Sequence, residues 1–392
     1  MRELMLQLNP NITAIEEETA FTVLDRANAL KAQGKPIINL GIGQPDFTPP
    51  RHILEAAEKA VRDGPHGYSS PAGLAVLRDA VAQYVGTRFK VPVAAEEVVI
   101  VPGGKVTFFF ACHLFGGPGA EILYPDPGFP PYRDAIRSSG ARAVPYPIRE
   151  EKSFGFDAEE VLSLVTPKTR LIIINSPANP TGGVVEPAEI RKFAEGIERH
   201  PQVAILSDEI YSHLVYEGAG FTSFFEFPEL RDRTIMLDGW SKTFAMTGWR
   251  LGFGIWPRDL VEMVKKMITV DHSCTSVATQ MAGLAAITGP MDEIEGFRRS
   301  FEKRRDIVVD GLNALPGVTC RKPGGAFYAF PNIKGTGRPS RELARDLLEK
   351  AYVALIHGES FGANGEGYLR LSYAASEADI REALKRMRDF LA

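Results

Sequence analysis

The sequence lacks several features that identify common functional classes. Its three cysteines, Cys112, Cys274 and Cys320, lie far apart and form no C-x-x-C pair, a pattern typical of reduced thiols in a cytoplasmic protein. There is no run of about 18 apolar residues and no secretory-type apolar segment at the N-terminus, so we expect no membrane span. The seven histidines show no H-E-x-x-H or comparable spacing, and we therefore predict no metal site.

The chain also carries no excess of basic residues. It has 45 basic and 49 acidic side chains and a net charge of −4, which argues against a nucleic-acid or anionic-membrane partner. Neither a Walker A loop nor G-x-G-x-x-G is present, so the usual nucleotide-binding fingerprints are absent. At 392 residues, with 44% hydrophobic and 24% charged residues, the chain has an ordinary globular composition and a length that favours two domains.

The middle of the chain has the pattern of an α/β protein. Helical segments separate short runs rich in Val, Ile and Leu, namely VVIV, EILYP, RLIIIN, AILSD and RTIMLDG. This alternation predicts a mostly parallel sheet with helices on both faces. Ligands of such sheets bind at the carboxyl ends of the strands, and the polar residues that interrupt the pattern lie there.

After Trp256 the alternation stops. A helical stretch over about 257–315, broken at Gly289-Pro290, precedes three strand-like segments and two further helices. We expect a large domain over 50–285 and a smaller α+β domain formed by 1–49 together with 286–392. Near the N-terminus, Thr13 and Glu16 have the spacing of a capping box, which predicts a helix from there to Gly34.

The segment IMLDGWSKTFAMTGWRLGFGIW, residues 235–256, contains the most informative residue, Lys242. A lysine in a small-residue turn between two buried strands is poorly solvated, which lowers its pKa and suits it to attack a carbonyl and form a Schiff base. Arg250 follows closely and suits a phosphate dianion. Two alternatives stay open at this point: a solvated surface lysine, and a catalytic dyad with Ser241.

Other polar or aromatic residues follow the predicted strands. The backbone at Gly104 and Lys105 opens a helix and could bind an anion, although a simple turn would look similar. Phe129 lies in a proline-rich loop and is either core or a wall for a flat ligand. Asn179 is compatible with a turn, and Asp208 needs a partner because it directly follows a buried strand.

Eight motifs in order give the chain its resemblance to a known family. They are GIGQPDF, HGYSSPAGLAVLR, PGGK, YPDPGFPPY, NSPANPTG, SDEIY, SKTFAMTGWRLGF and RLS. Together they resemble the class I/II aminotransferases, fold-type I enzymes that depend on pyridoxal 5′-phosphate (PLP), and most of all the aspartate aminotransferase-like subgroup. The resemblance covers nearly the whole chain. It implies a large domain with a mostly parallel seven-stranded sheet covered by helices, and a smaller α+β domain.

The resemblance also implies a role for each matching residue. Lys242 is then the Schiff-base lysine and proton shuttle, Asp208 pairs with the pyridine nitrogen, and Tyr211 assists as a catalytic residue. The residues implied in cofactor binding are Tyr68, Gly104, Lys105, Phe129, Asn179, Asp208, Tyr211, Ser241, Lys242 and Arg250. The residues implied in binding the substrate α-carboxylate are Gly43, Asn179 and Arg370.

Two positions depart from the family pattern. Gly239 stands where some relatives have a phosphate-binding serine, a role that Ser241 could take instead. Phe129 stands where many aspartate-specific members have tryptophan. We also identify no basic residue in the sequence that would bind the side-chain carboxylate of a dicarboxylic substrate.

The expected reaction is transfer of an amino group from an L-amino acid to a 2-oxo acid by a PLP-dependent ping-pong mechanism, with aspartate and 2-oxoglutarate as one substrate possibility. The resemblance further implies a homodimer in which Tyr68 reaches the cofactor of the second subunit, and it implies neither a nucleic acid nor a membrane partner. One alternative is a PLP-dependent C–S β-lyase on the same fold. Another is the PLP-sensing domain of a transcription regulator, which would need an added DNA-binding region that we do not find.

Overall fold

The structure of the protein is a computed structural model that describes residues 6–392. The strands are β1 Ile38–Asn39, β2 Val98–Val101, β3 Glu121–Asp126, β4 Arg142–Pro147, β5 Thr169–Asn175, β6 Ala204–Asp208, β7 Thr234–Gly239, β8 Gly252–Ile255, β9 Tyr328–Ala329, β10 Val353–Ala354, β11 Ile356–His357 and β12 Leu369–Ser372. The α-helices are α1 Pro10–Thr13, α2 Thr19–Ala32, α3 Arg51–Asp63, α4 Ala75–Phe89, α5 Lys105–Phe115, α6 Pro131–Ser138, α7 Ala158–Ser163, α8 Pro187–Ile197, α9 Trp240–Thr243, α10 Val261–Asp271, α11 Val277–Thr288, α12 Asp292–Asn313, α13 Ser340–Lys350 and α14 Glu377–Leu391.

A seven-stranded sheet in the order β2-β8-β7-β6-β5-β3-β4 forms the central layer. Only β8 runs antiparallel to its neighbours β2 and β7; the other adjacent pairs are parallel. The prediction of an α/β fold with a mostly parallel seven-stranded sheet is therefore confirmed. Strands such as β2, whose sequence is VVIV and whose residues are all buried, read as continuous apolar runs because helices cover both faces.

The helices divide between the two faces of this sheet. On one face α5, α6 and α10 pack through residues such as Phe108, Ile136 and Val264. On the other face lie α3, α4 and α11 together with α7 and α8. This two-sided burial fixes where each strand ends, and so fixes the edge on which the polar residues gather.

The C-terminal part forms a second layer system. Strands β11, β12 and β9 make a three-stranded antiparallel sheet that packs with α12, α13 and α14 around a core of its own. The N-terminal segment joins this part, since β1 pairs with β10 and Phe47 stacks on Phe297 at 4.2 Å. These contacts support our division into 50–285 and 1–49 with 286–392, which we retain as a proposal.

Two local predictions were wrong. Thr13 ends α1 and its hydroxyl donates to the carbonyl of Pro10, so it does not cap a helix with Glu16; α2 begins only at Thr19, after Glu18. The stretch 257–315 has a further break between α10 and α11, where the Ser276 hydroxyl accepts from an N–H of the new helix. A capping box is a local signal, and here the Glu16 side chain pairs instead with Arg133 and Arg137 of α6.

Across residues 6–392, no helix combines the length and the apolar composition needed to cross a membrane.

Candidate active site

A cavity of about 450 Å³ lies at the carboxyl ends of the central strands, between the large sheet and the C-terminal part. All but one of the predicted site residues line it. These are Gly43, Gly104, Lys105, Phe129, Asn179, Asp208, Tyr211, Ser241, Lys242, Arg250 and Arg370. The exception is Tyr68, which lies outside the lining of this cavity and is 91% exposed.

Lys242 lies in the single turn of α9, directly after the buried strand β7. Its Nζ donates a hydrogen bond of 2.6 Å to the carbonyl oxygen of Gly43. Burial, followed by the positive charges of Arg370, Arg250 and Lys105, lowers the pKa of Lys242 to about 7. Near neutral pH a large fraction of this amine is therefore unprotonated and able to act as a nucleophile.

Asp208 ends β6 and is almost completely buried. It accepts hydrogen bonds from the hydroxyl of Tyr132 at 2.5 Å and from the N–H of Ile210 at 3.2 Å. Both of these donors are neutral, and burial raises the pKa of Asp208 to about 6. A buried carboxylate of this kind is stabilised by a cation, and a protonated ring nitrogen in the cavity would provide one.

A second group of residues converges where α5 begins. Gly104 precedes the first turn of this helix, whose free N–H groups favour an anion. A Cβ on Gly103 would lie 2.2 Å from Nη2 of Arg250, and one on Gly252 would lie 2.5 Å from the Gly104 nitrogen. The glycines thus let a guanidinium and a helix N-terminus approach each other, as a phosphate cradle requires.

Arg370 is the buried cation on the opposite side of the cavity. It comes from β12, is 3% exposed, and burial lowers its pKa. Nη1 donates to Oδ1 of Asn179 at 3.1 Å and Nη2 donates to the carbonyl of Gly41, whereas Nε has no partner among the described residues. A buried guanidinium with an unused N–H is suited to bind a carboxylate.

The walls of the cavity are aromatic. Phe129 packs edge-to-face against Phe108 and Tyr132, with ring centroids 6.3 and 5.5 Å apart. The hydroxyls of Tyr211 and Tyr328 lie 2.8 Å apart. These contacts orient the rings of Phe129 and Tyr211, which line the same cavity as Lys242.

The sequence analysis missed several residues of the site. Asn175 donates to the carbonyl of Asp208 at 3.1 Å and accepts from the N–H of Asn179 at 3.0 Å. Asn175 and Tyr132 both lie inside motifs that we quoted, so their positions carried a signal. Tyr328 and Glu18 also line the cavity, and nothing in their local sequence indicates it.

The residues present fit PLP. An anion cradle, a buried carboxylate whose hydrogen-bond donors are neutral, an aromatic wall and an amine with a lowered pKa are groups suited to its phosphate, ring nitrogen, ring face and aldehyde. The free Nε of Arg370 is available for a further carboxylate. Of the described residues, none form a cluster that could hold a metal ion.

Comparison with known proteins identifies the family of the chain. The family model described as aminotransferase class I and II matches residues 35–387. An aspartate aminotransferase of Rhizobium meliloti is 35% identical over 99% of this chain and 97% of its own length. The crystal structure of aspartate aminotransferase from Thermus thermophilus with maleate superimposes with a TM-score of 0.93 at 32% identity, covering 98% of this chain and all of that one.

A third similar protein differs in its named substrate class. The aromatic aminotransferase of Pyrococcus horikoshii gives a TM-score of 0.88 at 35% identity, over 93% of this chain and 98% of that one. The relatives are aminotransferases, so a C–S β-lyase is not favoured. The chain belongs to the class I and II aminotransferases and is a PLP-dependent enzyme that transfers an amino group from an amino acid to a 2-oxo acid.

Proposed function

We propose that Lys242 is the residue that attaches PLP, with Asp208, Arg250 and the backbone of Gly104 and Lys105 as its main polar contacts. The observation that carries this is the Lys242 amine, which faces the cavity and has a pKa lowered to about 7. When bound, PLP supplies an aldehyde for the amino group and a ring that withdraws electrons from the substrate Cα.

The other residues position and protect this chemistry. Asp208 would hold the proton on the ring nitrogen, because a carboxylate with neutral partners favours an adjacent cation. Tyr132 keeps this carboxylate in place. Lys242, when free, would carry the proton between the substrate Cα and the cofactor C4′. Phe129 and Tyr211 would form the walls beside the ring.

Arg370 would bind the α-carboxylate that amino acids and 2-oxo acids share. Its guanidinium is held by Asn179 and by the Gly41 carbonyl, and rings of Tyr328 and Phe361 lie 4.9 Å from it. A guanidinium that is already oriented loses little freedom on binding a carboxylate through two parallel hydrogen bonds.

The substrate class that we propose is dicarboxylic, of the aspartate and 2-oxoglutarate kind. The sequence analysis used Lys105 only for its backbone, but its side chain also lines the cavity, with Nζ 5.0 Å from the ring centre of Phe129. Among the described residues that line the cavity, Lys105 is the cation that remains for a second carboxylate once Lys242, Arg250 and Arg370 have the roles proposed above. The names of several relatives, and the maleate dianion bound to the Thermus enzyme, support the same class.

The active unit that we propose is a homodimer. Tyr68 is 91% exposed in this chain, and Val270 is 89% exposed; large exposed apolar side chains are common at subunit interfaces. If Tyr68 completes the partner's site, mixing Lys242→Ala and Tyr68→Ala subunits should restore part of the activity that each variant lacks. Failure to restore any activity after subunit exchange would contradict shared sites.

We also propose a cytoplasmic location. The support is chemical: Cys112, Cys274 and Cys320 are all free thiols, and Cys112 and Cys320 are buried. Free thiols are typical of a reducing compartment.

Labelling with borohydride tests the attachment site directly. Reduction of the PLP-loaded enzyme followed by peptide mapping should place the pyridoxyl group on Lys242, and Lys242→Ala should take up no label while retaining its far-UV circular dichroism. A label on another lysine would refute the assignment. Reaction of the loaded enzyme with single L-amino acids then identifies the amino donor.

A further inference from the structure

The lysine left for the second carboxylate is already paired. Nζ of Lys105 lies 3.0 Å from Oε2 of Glu18, and the two side chains are 48% and 24% exposed. Both residues line the same cavity. Glu18 therefore places a negative charge beside the point where a dicarboxylic substrate would place its own.

Glu18 lines the cavity and belongs to the short segment that precedes α2. The segment is held at a second point by Glu16, which lies 2.8 Å from Arg133 and 3.0 Å from Arg137 of α6. Although Glu18 is the residue before α2, its side chain makes no capping hydrogen bond. Its contact with Lys105 is thus separable from the folding of the helix.

The cavity that this pair lines also has apolar side chains in its walls. Ala20, Phe21, Ile42 and Phe108 line the cavity together with it. An unpaired ammonium group among such side chains is unfavourable when an apolar substrate side chain displaces water. An ammonium group that is paired with Glu18 does not have this disadvantage, whereas a dicarboxylic substrate needs the ammonium group for itself.

We infer that Glu18 is a specificity-determining residue, and that the Glu18–Lys105 ion pair lets one cavity accept two kinds of substrate. When the substrate side chain is uncharged, the ion pair between Glu18 and Lys105 stays intact. When the substrate is dicarboxylic, Lys105 turns to its side-chain carboxylate and Glu18 moves toward solvent. This inference rests on the proposed function, since it takes the cavity to be the substrate site.

The charge of Glu18 reaches the reacting groups as well. It raises the pKa of Lys242 and of Arg370, although in each case burial outweighs it and the pKa is lowered overall. The carboxylate is thus close enough to the cavity to interact with a bound anion. Coulomb interactions over such distances are modest where water has access.

The test compares Glu18→Gln with Glu16→Gln in the PLP-loaded enzyme. Glu16→Gln is a matched control, because it removes a charge from the same segment at a residue that does not line the cavity. For each protein, kcat/KM of the half-reaction is measured with L-aspartate, L-glutamate, L-alanine and L-phenylalanine at low and high salt.

Glu18→Gln should raise the ratio of dicarboxylic to uncharged kcat/KM about three- to tenfold at low salt, and less at 1 M salt where charges are screened. Glu16→Gln should leave this ratio unchanged. An active Glu18→Gln enzyme with an unaltered ratio, or an equal change in Glu16→Gln, would overturn the inference alone. Wild-type enzyme that reacts with none of the four amino acids would overturn the proposed function and the inference together.

Discussion

The floor and the mouth of the cavity place charged groups in opposite surroundings. The floor, formed by Asp208, Lys242 and Arg370, is largely shielded from water and its groups have shifted pKa values. The mouth is our name for Glu18 and Lys105, which line the cavity, together with the adjoining Glu16, which does not. Its ion pairs, Glu18 with Lys105 and Glu16 with Arg133, have side chains that are 22–56% exposed. Desolvation therefore creates the reactivity of the floor, whereas the mouth depends on Coulomb attractions that water weakens. Substitutions should have large effects at the floor and small, salt-dependent ones at the mouth.

Arg370→Leu should have the largest effect. A bidentate contact with the substrate carboxylate comprises two charge-assisted hydrogen bonds worth about 1.5–3 kcal/mol each, so its loss should lower kcat/KM by about two to four powers of ten. Amino acids and 2-oxo acids should lose equally, because both carry the carboxylate. Amines without a carboxylate, measured as controls, should be almost unaffected; equal losses for amines would make Arg370 a structural residue.

Asp208→Asn should lower kcat by about two to three powers of ten, since it removes the charge that stabilises a protonated ring nitrogen. It should also stabilise the protein without PLP. The pKa of about 6 in the folded protein lies above the ordinary aspartate value of 3.8, so the stability that this group contributes is complete below pH about 4 and is lost as pH rises through 6. The wild-type carboxylate is thus unfavourable at pH 8.

Chemical denaturation of the two PLP-free proteins measures this effect. At pH 8 Asp208→Asn should be more stable than the wild type by about 1–3 kcal/mol, a range that follows from about two pKa units at 1.36 kcal/mol each. At pH 4 the difference should vanish. A variant that is less stable at both pH values would show that the hydrogen bond of Tyr132 to the carboxylate matters more than the cost of burial.

Lys105→Met should give an intermediate effect, confined to one substrate class. Losing a partly exposed charged contact should lower kcat/KM for aspartate and glutamate about ten- to a hundredfold. Alanine and phenylalanine should change much less, because their side chains carry no charge. Equal losses for all four amino acids would assign Lys105 to the cofactor instead of the second carboxylate.

Glu16→Gln should have the smallest effect. Its ion pairs with Arg133 and Arg137 involve an exposed carboxylate, and exposed pairs contribute less than about 1 kcal/mol. The free energy of unfolding from urea denaturation should therefore fall only slightly, and the difference should disappear at 1 M salt. A loss of several kcal/mol would show that the mouth is part of the folding core and contradict the contrast with the floor.

Much of the fold and of the floor could be predicted from local sequence. Buried strands read as apolar runs, and Asp208 is the last residue of one such strand while Lys242 lies in the turn after another, so their edge of the sheet was predictable. The error at Thr13 has the opposite origin. Thr13 and Glu16 have the spacing of a capping box, but Glu16 contacts two arginines that lie more than a hundred residues away in the chain.

The mouth could not be predicted in this way. Glu18 and Lys105 are 87 residues apart, and Lys242 and Gly43 are 199 residues apart. No periodicity or spacing links such positions, and the sequence motif of Lys105 does not separate the two roles that we propose for it. Its backbone begins α5 at the proposed phosphate cradle, while its side chain lines the cavity and pairs with Glu18.

The sequence by itself determined the α/β alternation, the strand ends and the position of Lys242 just after an apolar strand, because each depends on residues that are neighbours in the chain. The tertiary structure alone decided the pKa of that lysine and the pairing of Glu18 with Lys105. It also decided that Nε of Arg370 has no hydrogen-bond partner among the described residues. Desolvation and ion pairing depend on which groups from distant segments surround a side chain, and only the folded chain fixes those neighbours.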